Sequence, residues 1–207
     1  IAIDRAHTTA SDIASYFPLT AMMKLAKAGY IGSVSPRFYG LPTNRSQRTT
    51  RDIDCPALLA YCQEDIVDAV VMVPNCPVCH QSMAIAAHCL ESAGIATVIM
   101  GCARDITEYV GVPRLLFSDL PLGNAAGLPH DPDSQNLSAK LAVDLLVEAA
   151  ATRTTKASPL VWSGAPDWKT DYSNAAVLSA EEIAERRAEF DRVKAAAAAI
   201  KSASKTD

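Results

Sequence analysis

Two cysteines three positions apart, Cys76 and Cys79, are the residues of this chain best suited to covalent chemistry. Thiols at this spacing can form a reversible disulfide, and either thiolate can attack a carbon or sulfur atom. They follow a continuous apolar run, Asp68–Val73, and precede a small-residue stretch of helical character, residues 81–93. The partial positive charge at a helix start stabilises a thiolate and lowers its pKa. Spacing and position therefore favour a redox or nucleophilic thiol site between a strand and a helix.

The same pair is open to three other interpretations. Half of a zinc site would need further ligands, but the chain has no second C-x-x-C, and the remaining His and Cys residues lack the spacing of a zinc ribbon. The run from Cys76 to His80 also matches the C-x-x-C-H pattern of covalent haem attachment, which the strands expected on either side disfavour. Two buried structural cysteines are the fourth interpretation. The sequence firmly implies no cofactor; a reversible Cys76–Cys79 disulfide and, as the alternative, zinc stay open.

His80 directly follows Cys79 and is the third candidate catalytic residue. An imidazole beside a thiolate can act as its acid or base. A histidine in the first turn of a helix can equally face solvent. The sequence does not separate these two possibilities.

Asn75 and one loop supply candidates for substrate binding. Asn75 precedes Cys76, and its amide can hold substrate oxygens. The loop from Pro121 to Asp131 follows the third predicted strand and contributes Gly123, Asn124 and His130. Ligand clefts in parallel α/β folds lie outside the carboxyl ends of the strands, so we expect this loop at the same sheet edge as the cysteines.

A second candidate substrate-binding stretch is the turn Ser35-Pro-Arg-Phe-Tyr39. The guanidinium of Arg37 can bind a substrate carboxylate through two parallel hydrogen bonds. Tyr39 adds an aromatic face with a hydroxyl group. A plain surface arginine is the competing interpretation.

Alternating apolar runs and helical patterns predict the fold. Strands are expected at residues 68–73, 95–100 and 113–117, with a further strand entry at residues 30–34. Helices are expected at residues 18–28, 55–65, 81–93, 103–109 and 134–151, the last of them capped by Asp133 or Ser134. Residues 41–54 have no periodicity and suggest a mobile loop or lid. The order predicts a three-layer α/β sandwich with a mostly parallel, Rossmann-like sheet.

The C-terminal quarter has a different character. From residue 152 the composition shifts to Ser, Thr, Pro and Trp, and periodicity is lost until the capping box Ser179-x-x-Glu182. We therefore expect an α/β domain with the cysteine site in residues 1–151. Residues 152–207 are expected to form an extended linker and an amphipathic C-terminal helix, an arm that docks on a partner.

Composition restricts the classes of partner. A net charge of −4 gives no reason to expect nucleic acid, and no apolar run reaches the length of a membrane span. The first five residues do not form a signal peptide, and six cysteines are too few for a disulfide scaffold at 207 residues, so we expect a reducing, cytoplasmic setting. Four cysteines occur singly and are expected to be small core hydrophobes: Cys55, Cys62, Cys89 and Cys102. The expected partners are a small polar substrate and either further copies or a partner subunit.

Several stretches together resemble the selenoprotein B family, which covers component B of the glycine, sarcosine and betaine reductases and the PrdB-type subunit of D-proline reductase. The strongest match is Asp68-Ala-Val-Val-Met-Val-Pro-Asn-Cys-Pro-Val-Cys79. The others lie at residues 29–32, 35–39, 93–98, 113–117, 121–129, 168–172 and 186–191. The resemblance covers nearly the whole chain.

The resemblance implies a reductive activity at the cysteine pair. In the family, a selenocysteine or cysteine of this motif attacks the substrate carbon that bears the amine, and a second thiol completes the cycle. Both positions are cysteine here, so the chain is similar to a selenium-free member. The resemblance thus implies an oxidoreductase subunit that cleaves a C–N bond of a small amino acid or related compound, with a non-catalytic zinc-binding or partner subunit as the alternative.

Overall fold

The computed structural model describes residues 3–43, 45–162, 166–170, 176 and 178–203. The chain divides into two compact units, Ile1–Gly164 and Ala165–Asp207. The first unit contains the sheet and the cysteine pair.

Four parallel strands form one sheet in the order of the chain. They are β1 (Ala69–Met72), β2 (Ala96–Gly101), β3 (Arg114–Phe117) and β4 (Thr154–Ala157). The helices of this unit are α1 (Leu19–Lys27), α2 (Gln47–Thr49), α3 (Cys55–Glu64), α4 (Pro77–Ser92), α5 (Arg104–Val110) and α6 (Pro132–Glu148). A 3-10 helix, Ile13–Ser15, precedes α1, and a π-helical turn, Thr50–Asp54, joins α2 to α3.

Alternation along the strands divides the core into two layers. Val98 and Met100 of β2 pack with Ala142 and other residues of α6 on one face of the sheet. Ile99, which lies between them, packs with Leu90 of α4 on the opposite face. Successive side chains of a strand point to opposite faces, so a strand buried on both sides needs the continuous apolar sequence seen here. Helices therefore cover both faces, and the predicted three-layer α/β fold with a parallel sheet is confirmed.

The fourth strand and some helix ends differ from the prediction. β4 lies inside the stretch expected to be a linker from residue 152; its sequence, Thr-Thr-Lys-Ala, lacks an apolar signal because it is a half-exposed edge strand. Residues 30–34 form a bend and irregular backbone instead of a strand, and residues 47–54 are helical instead of a loop. The cap of α6 is Asp131, whose carboxylate accepts the N–H groups of Asp133 and Ser134 at 3.2 and 3.1 Å.

The second unit contains a 3-10 helix, Pro166–Lys169, and the long helix α7 (Ala180–Ala203). The predicted capping box is present: the Ser179 hydroxyl accepts the Glu182 N–H at 3.1 Å, and the Glu182 carboxylate accepts the Ser179 N–H at 2.8 Å. The side chains of residues 180–188 are all exposed, so this part of α7 has no buried face in the single chain, and its role as an amphipathic docking arm stays a prediction. Among the described residues, no helix has the length and apolar content needed to cross a membrane.

Candidate functional site

The cysteine pair occupies the first turn of α4. Cys76 is the N-cap residue, with extended backbone angles (φ −142°, ψ 162°), and its Sγ accepts the N–H of Cys79 at 3.1 Å. Pro77 follows at the first helical position, where its missing N–H costs no hydrogen bond. The helix thus begins at Pro77, four residues before the predicted stretch, and includes the second cysteine.

Cys76 and Cys79 are joined as a disulfide, with their Cα atoms 5.0 Å apart. Cys76 is buried, whereas Cys79 is half-buried. The pair follows β1 by a short extended segment and therefore lies at the carboxyl edge of the sheet. This is the edge at which parallel α/β folds bind their ligands.

His80 is fully buried, and both of its ring nitrogens have backbone partners. Nδ1 lies 2.8 Å from the carbonyl oxygen of Cys76, and Nε2 accepts the N–H groups of Cys102 and Ala103 at 3.0 and 3.1 Å. Because Nε2 accepts two hydrogen bonds, the proton of the neutral ring resides on Nδ1 and is donated to Cys76. The interpretation in which His80 faces solvent is therefore wrong.

Burial also governs the charge of this ring. It lowers the pKa of His80 below the ordinary value of 6.5, against the opposing effects of the Cys76 carbonyl and the Asp105 carboxylate. The imidazole is accordingly neutral at pH 7. A neutral ring with no free nitrogen has no site from which to exchange a proton with a substrate.

A groove of about 530 Å³ runs along β1 and its following residues. It is also lined by the 3-10 helix, the start of α1, residues from the stretch 31–41, and single residues of α3 and α4. Most of the lining is apolar, and three of the predicted substrate-binding residues, Arg37, Tyr39 and Asn75, lie in it. The lining includes Asn75, directly before Cys76, and Met83 and Ala86 of α4, but not the two cysteines themselves. The groove therefore unites half of the predicted binding residues beside the cysteine pair.

Asn75, a lining residue of the groove, has an unsatisfied polar atom. Its Oδ1 is buried and has no hydrogen-bond partner in the described part of the chain. A buried carbonyl oxygen without a partner costs free energy, so such an atom in a cavity lining is suited to an N–H donor of a ligand. The sequence suggested that the amide would hold substrate oxygens; the free atom is instead an acceptor.

Arg37 and Tyr39 are held by acidic residues of the chain itself. The guanidinium donates to both oxygens of Asp65, with Nη2–Oδ1 at 2.6 Å and Nε–Oδ2 at 2.9 Å, and also reaches Glu64 at 2.9 Å. The Tyr39 hydroxyl donates to Asp65 as well. Hydrogen bonds from Arg37, then from Tyr39, lower the pKa of Asp65 to about 2. A substrate carboxylate at Arg37 would have to compete with these two carboxylates.

The loop after β3 is satisfied internally and does not line the groove. Asn124 is fully buried; its Nδ2 donates to the Pro121 carbonyl at 3.2 Å, and its Oδ1 accepts the Thr8 hydroxyl at 3.3 Å. Gly123 has φ +110°, and a Cβ there would lie 3.2 Å from Ile3, so the turn itself requires glycine. His130 is exposed, and its N–H donates to Asp12 at 2.7 Å. These three predicted residues are thus placed apart from the groove.

Two connections were not anticipated from the sequence. One is the role of Asp65 in holding Arg37 and Tyr39, for which the only signal is an acidic residue at the end of a helix. The other is the contact of the Cys102 end of β2 with both His80 and the loop: its N–H donates to His80, and its thiol lies 4.0 Å from the Pro121 carbonyl. Burial raises the pKa of the Cys102 thiol to about 12, so this thiol is protonated and unreactive at pH 7.

The remaining cysteines have structural surroundings. Cys55 and Cys62 are buried in the core layer of α3 and α4, and burial raises the pKa of both thiols, that of Cys55 to about 12. Cys89 packs against the same layer and is free. Across the described ranges, no three His, Cys, Asp or Glu side chains come together in a group that could hold a metal ion.

Comparison with known proteins gives one informative relative. No family model matches the chain. No solved structure matches it either. The D-proline reductase subunit gamma of Acetoanaerobium sticklandii is 30% identical to this chain over 138 residues, which is 66% of this chain and 57% of the relative. The chain thus spans little more than half the length of this relative. The chain is similar to a subunit of an amino-acid reductase, which supports the resemblance carried by its motifs.

Proposed function

We propose that this chain is the thiol-bearing subunit of a reductase that cleaves a C–N bond of a small amino acid through Cys76 and Cys79. The observation that carries the proposal is the cysteine pair itself. It lies at a helix start, within disulfide distance, and beside a groove with an unpartnered polar atom. The similarity to a D-proline reductase subunit supplies the reaction class.

The chemistry requires two thiolates and returns a disulfide. One thiolate attacks the carbon that bears the amine; a C–S bond forms, the C–N bond breaks, and nitrogen leaves with the electron pair and takes up a proton. The second thiolate then attacks the sulfur of this adduct. An S–S bond forms, the C–S bond breaks, and the carbon keeps the electron pair and takes up a proton. The substrate gains two electrons and two protons, and a dithiol reductant restores the pair.

The geometry supports Cys79 and Cys76 in different ways. Cys79 is the more exposed sulfur and meets an entering substrate more readily. Cys76 is buried and accepts the Cys79 N–H at a helix N-terminus, an arrangement that stabilises a thiolate. Because the attacking sulfur has to be reached by the substrate, we assign the attack to Cys79. The resolving step also needs a thiolate but attacks a sulfur within the chain, so we assign it to the buried Cys76.

The groove supports a substrate with an apolar body and an N–H donor. Its walls along β1 are apolar, and Asn75 Oδ1 is an acceptor without a partner. A cyclic amino acid such as proline has both features. Asn75 directly precedes Cys76 in the chain, so an amine bound at Asn75 lies beside the cysteine pair.

The test is to trap the adduct on the reduced chain. The Cys76→Ser variant, incubated with D-proline, should gain the mass of one proline on Cys79, because the opened ring keeps its nitrogen and the resolving thiol is absent. Cys89→Ser is the matched control, since Cys89 lies on the same helix but away from the pair. The variant is also incubated with each of the other amino acids, together with any partner subunits that co-purify. If mass spectrometry finds Cys79 unmodified in every case, the proposal is refuted.

The same preparations test the zinc alternative. Protein purified without chelator should contain no stoichiometric zinc. One zinc per chain that is lost in Cys79→Ser would instead identify a metal-binding subunit, since thiolates are the expected ligands of structural zinc. The measurement is elemental analysis of wild type, Cys79→Ser and Cys89→Ser.

A further inference from the structure

We propose that His80 is the positioning residue of the cysteine pair, a neutral clamp that ties the first turn of α4 to the turn between β2 and α5. The ring is fully buried and touches backbone on both sides. It donates to the Cys76 carbonyl at 2.8 Å and accepts from Cys102 and Ala103 at 3.0 and 3.1 Å. One side chain therefore connects the two segments that follow β1 and β2.

The Cys76 side of the clamp fixes the residue that carries the buried sulfur. The Cys76 carbonyl accepts twice from His80, from the backbone N–H at 3.1 Å and from the ring. The first bond belongs to any helix start, but the second is specific to a side chain of this length and shape. Two bonds to one carbonyl hold the Cys76 peptide in one orientation, and with it the direction of the Cα–Cβ bond that carries Sγ.

The other side of the clamp satisfies two backbone donors that directly precede α5. Ala103 is the N-cap residue of α5 and has no side chain that can accept a hydrogen bond. The Nε2 atom of His80 accepts its N–H and that of Cys102, two donors that the turn itself leaves without partners. The clamp thus has an anchor in the turn that begins α5.

Gly101 shows how closely the ring is seated. A Cβ at this position would lie 3.1 Å from both Cδ2 and Nε2 of His80. Such a contact would force the ring to move by a few tenths of an ångström. Gly101→Ala is therefore a second way to disturb the clamp, and it leaves His80 in place.

Few charged or titratable groups face this ring. The Asp105 carboxylate of α5 acts on it through its charge, whereas Cys102 and Cys76 meet the ring through their backbone N–H and carbonyl groups. The interactions of the ring are with the backbone, and this distinguishes positioning from acid–base catalysis.

The experiment measures the redox equilibrium of the pair against dithiothreitol, by mass spectrometry of alkylated samples. His80→Ala removes both halves of the clamp, His80→Gln can retain an acceptor toward Cys102 and Ala103, and His80→Asn can retain a donor toward Cys76. We expect the equilibrium constant for disulfide formation to fall about tenfold in His80→Ala and by about threefold to fivefold in His80→Gln and Gly101→Ala, the effect of an ordinary hydrogen bond. Among the His80 variants, we expect the equilibrium constant to fall least in His80→Asn.

His88→Gln is the matched control, because His88 lies on the same helix and is exposed. Circular dichroism confirms that each variant is folded before its equilibrium is measured. Values within twofold of wild type in folded His80→Gln and Gly101→Ala would overturn the proposal, since loss of stability alone does not alter the equilibrium of a folded disulfide.

The inference rests on the cysteine pair being the reactive group of the proposed function, but its test needs no substrate. A shifted equilibrium in a chain that forms no adduct with amino acids would refute the proposed function and leave the clamp. If the chain forms the adduct but the disulfide equilibrium is unshifted in the clamp variants, the clamp is refuted and the proposed function is kept.

Discussion

Two segments meet the carboxyl edge of the sheet, and they differ in how their polar groups are satisfied. Beyond β1, Asn75 lines the groove and has a buried side-chain oxygen without a partner. Beyond β3, the amide of Asn124 is bonded at both ends by the chain itself. Both asparagines were equal candidates by sequence, so the contrast teaches that burial alone does not indicate a binding residue. An unused hydrogen-bonding atom at a cavity does.

Replacing Asn124 by alanine should produce the largest loss of stability. The change removes two internal hydrogen bonds and leaves the Pro121 carbonyl without the Nδ2 donor in a fully buried place. We expect the free energy of unfolding to fall by roughly 2 to 3 kcal/mol. Urea unfolding followed by circular dichroism measures it, and a fall below half a kcal/mol would show that the loop is not held by this residue.

The same replacement at Asn75 should act on binding and leave stability unchanged. Alanine removes a buried oxygen that has no partner, so the folded chain loses no hydrogen bond there. We expect the KM of the proposed reaction to rise about fivefold to tenfold with a smaller change in kcat. A stability loss as large as that of Asn124→Ala, with KM unaltered, would remove the distinction between the two segments.

Protonation of His80 gives a third test, on the clamp that lies between these segments. Its pKa is lowered in the folded chain, so below pH 6.5 the unfolded chain takes up the proton first. The free energy of unfolding should therefore be independent of this group above pH 6.5 and should decrease as the pH falls below it. Unfolding of wild type at pH 7.5 and 5.5 should show this decrease, and His80→Gln should show less of it. An equal decrease in both would assign the effect to other groups, and His88→Gln is again the control.

Asp65, the partner of Arg37, should make a smaller pH-dependent contribution to the free energy of unfolding, at lower pH. Asp65 has a pKa of about 2 in the folded chain, below the ordinary 3.8. Its contribution to stability is present above pH 3.8 and is lost as the pH falls through about 2, because the unfolded chain binds the proton first. When the free energy of unfolding is measured against pH, it should fall less between pH 3.8 and about 2 in Asp65→Asn than in wild type. Since the group is near the surface, we expect added salt to reduce the difference between the two chains.

The sequence was sufficient for the features that local pattern encodes. β1 to β3 are mostly apolar, and the cysteine pair stands where a strand changes to a helix, so both could be predicted. β4 could not, because a half-exposed edge strand needs no apolar pattern.

Contacts between distant positions were also beyond prediction. Arg37 and Asp65 are 28 positions apart, and His80 and Cys102 are 22 positions apart. The residues near one member of such a pair do not indicate which distant residue it contacts. The type of site followed from local residues, whereas the division of its candidates between groove, clamp and loop required the folded chain.

The smallest expected effect is at His130, the third predicted residue on the loop side. It is exposed and has φ +57°, in the left-handed region that favours glycine. His130→Gly keeps the backbone N–H that donates to Asp12 and removes the cost of a side chain in that conformation. Glycine also gains freedom in the unfolded chain, which offsets part of this gain. We expect the free energy of unfolding to change by at most about 1 kcal/mol and the activity at the groove to stay at the wild-type level. A loss of activity in this variant would show that the loop takes part in the site, and the proposed difference between Asn75 and the loop residues would be wrong.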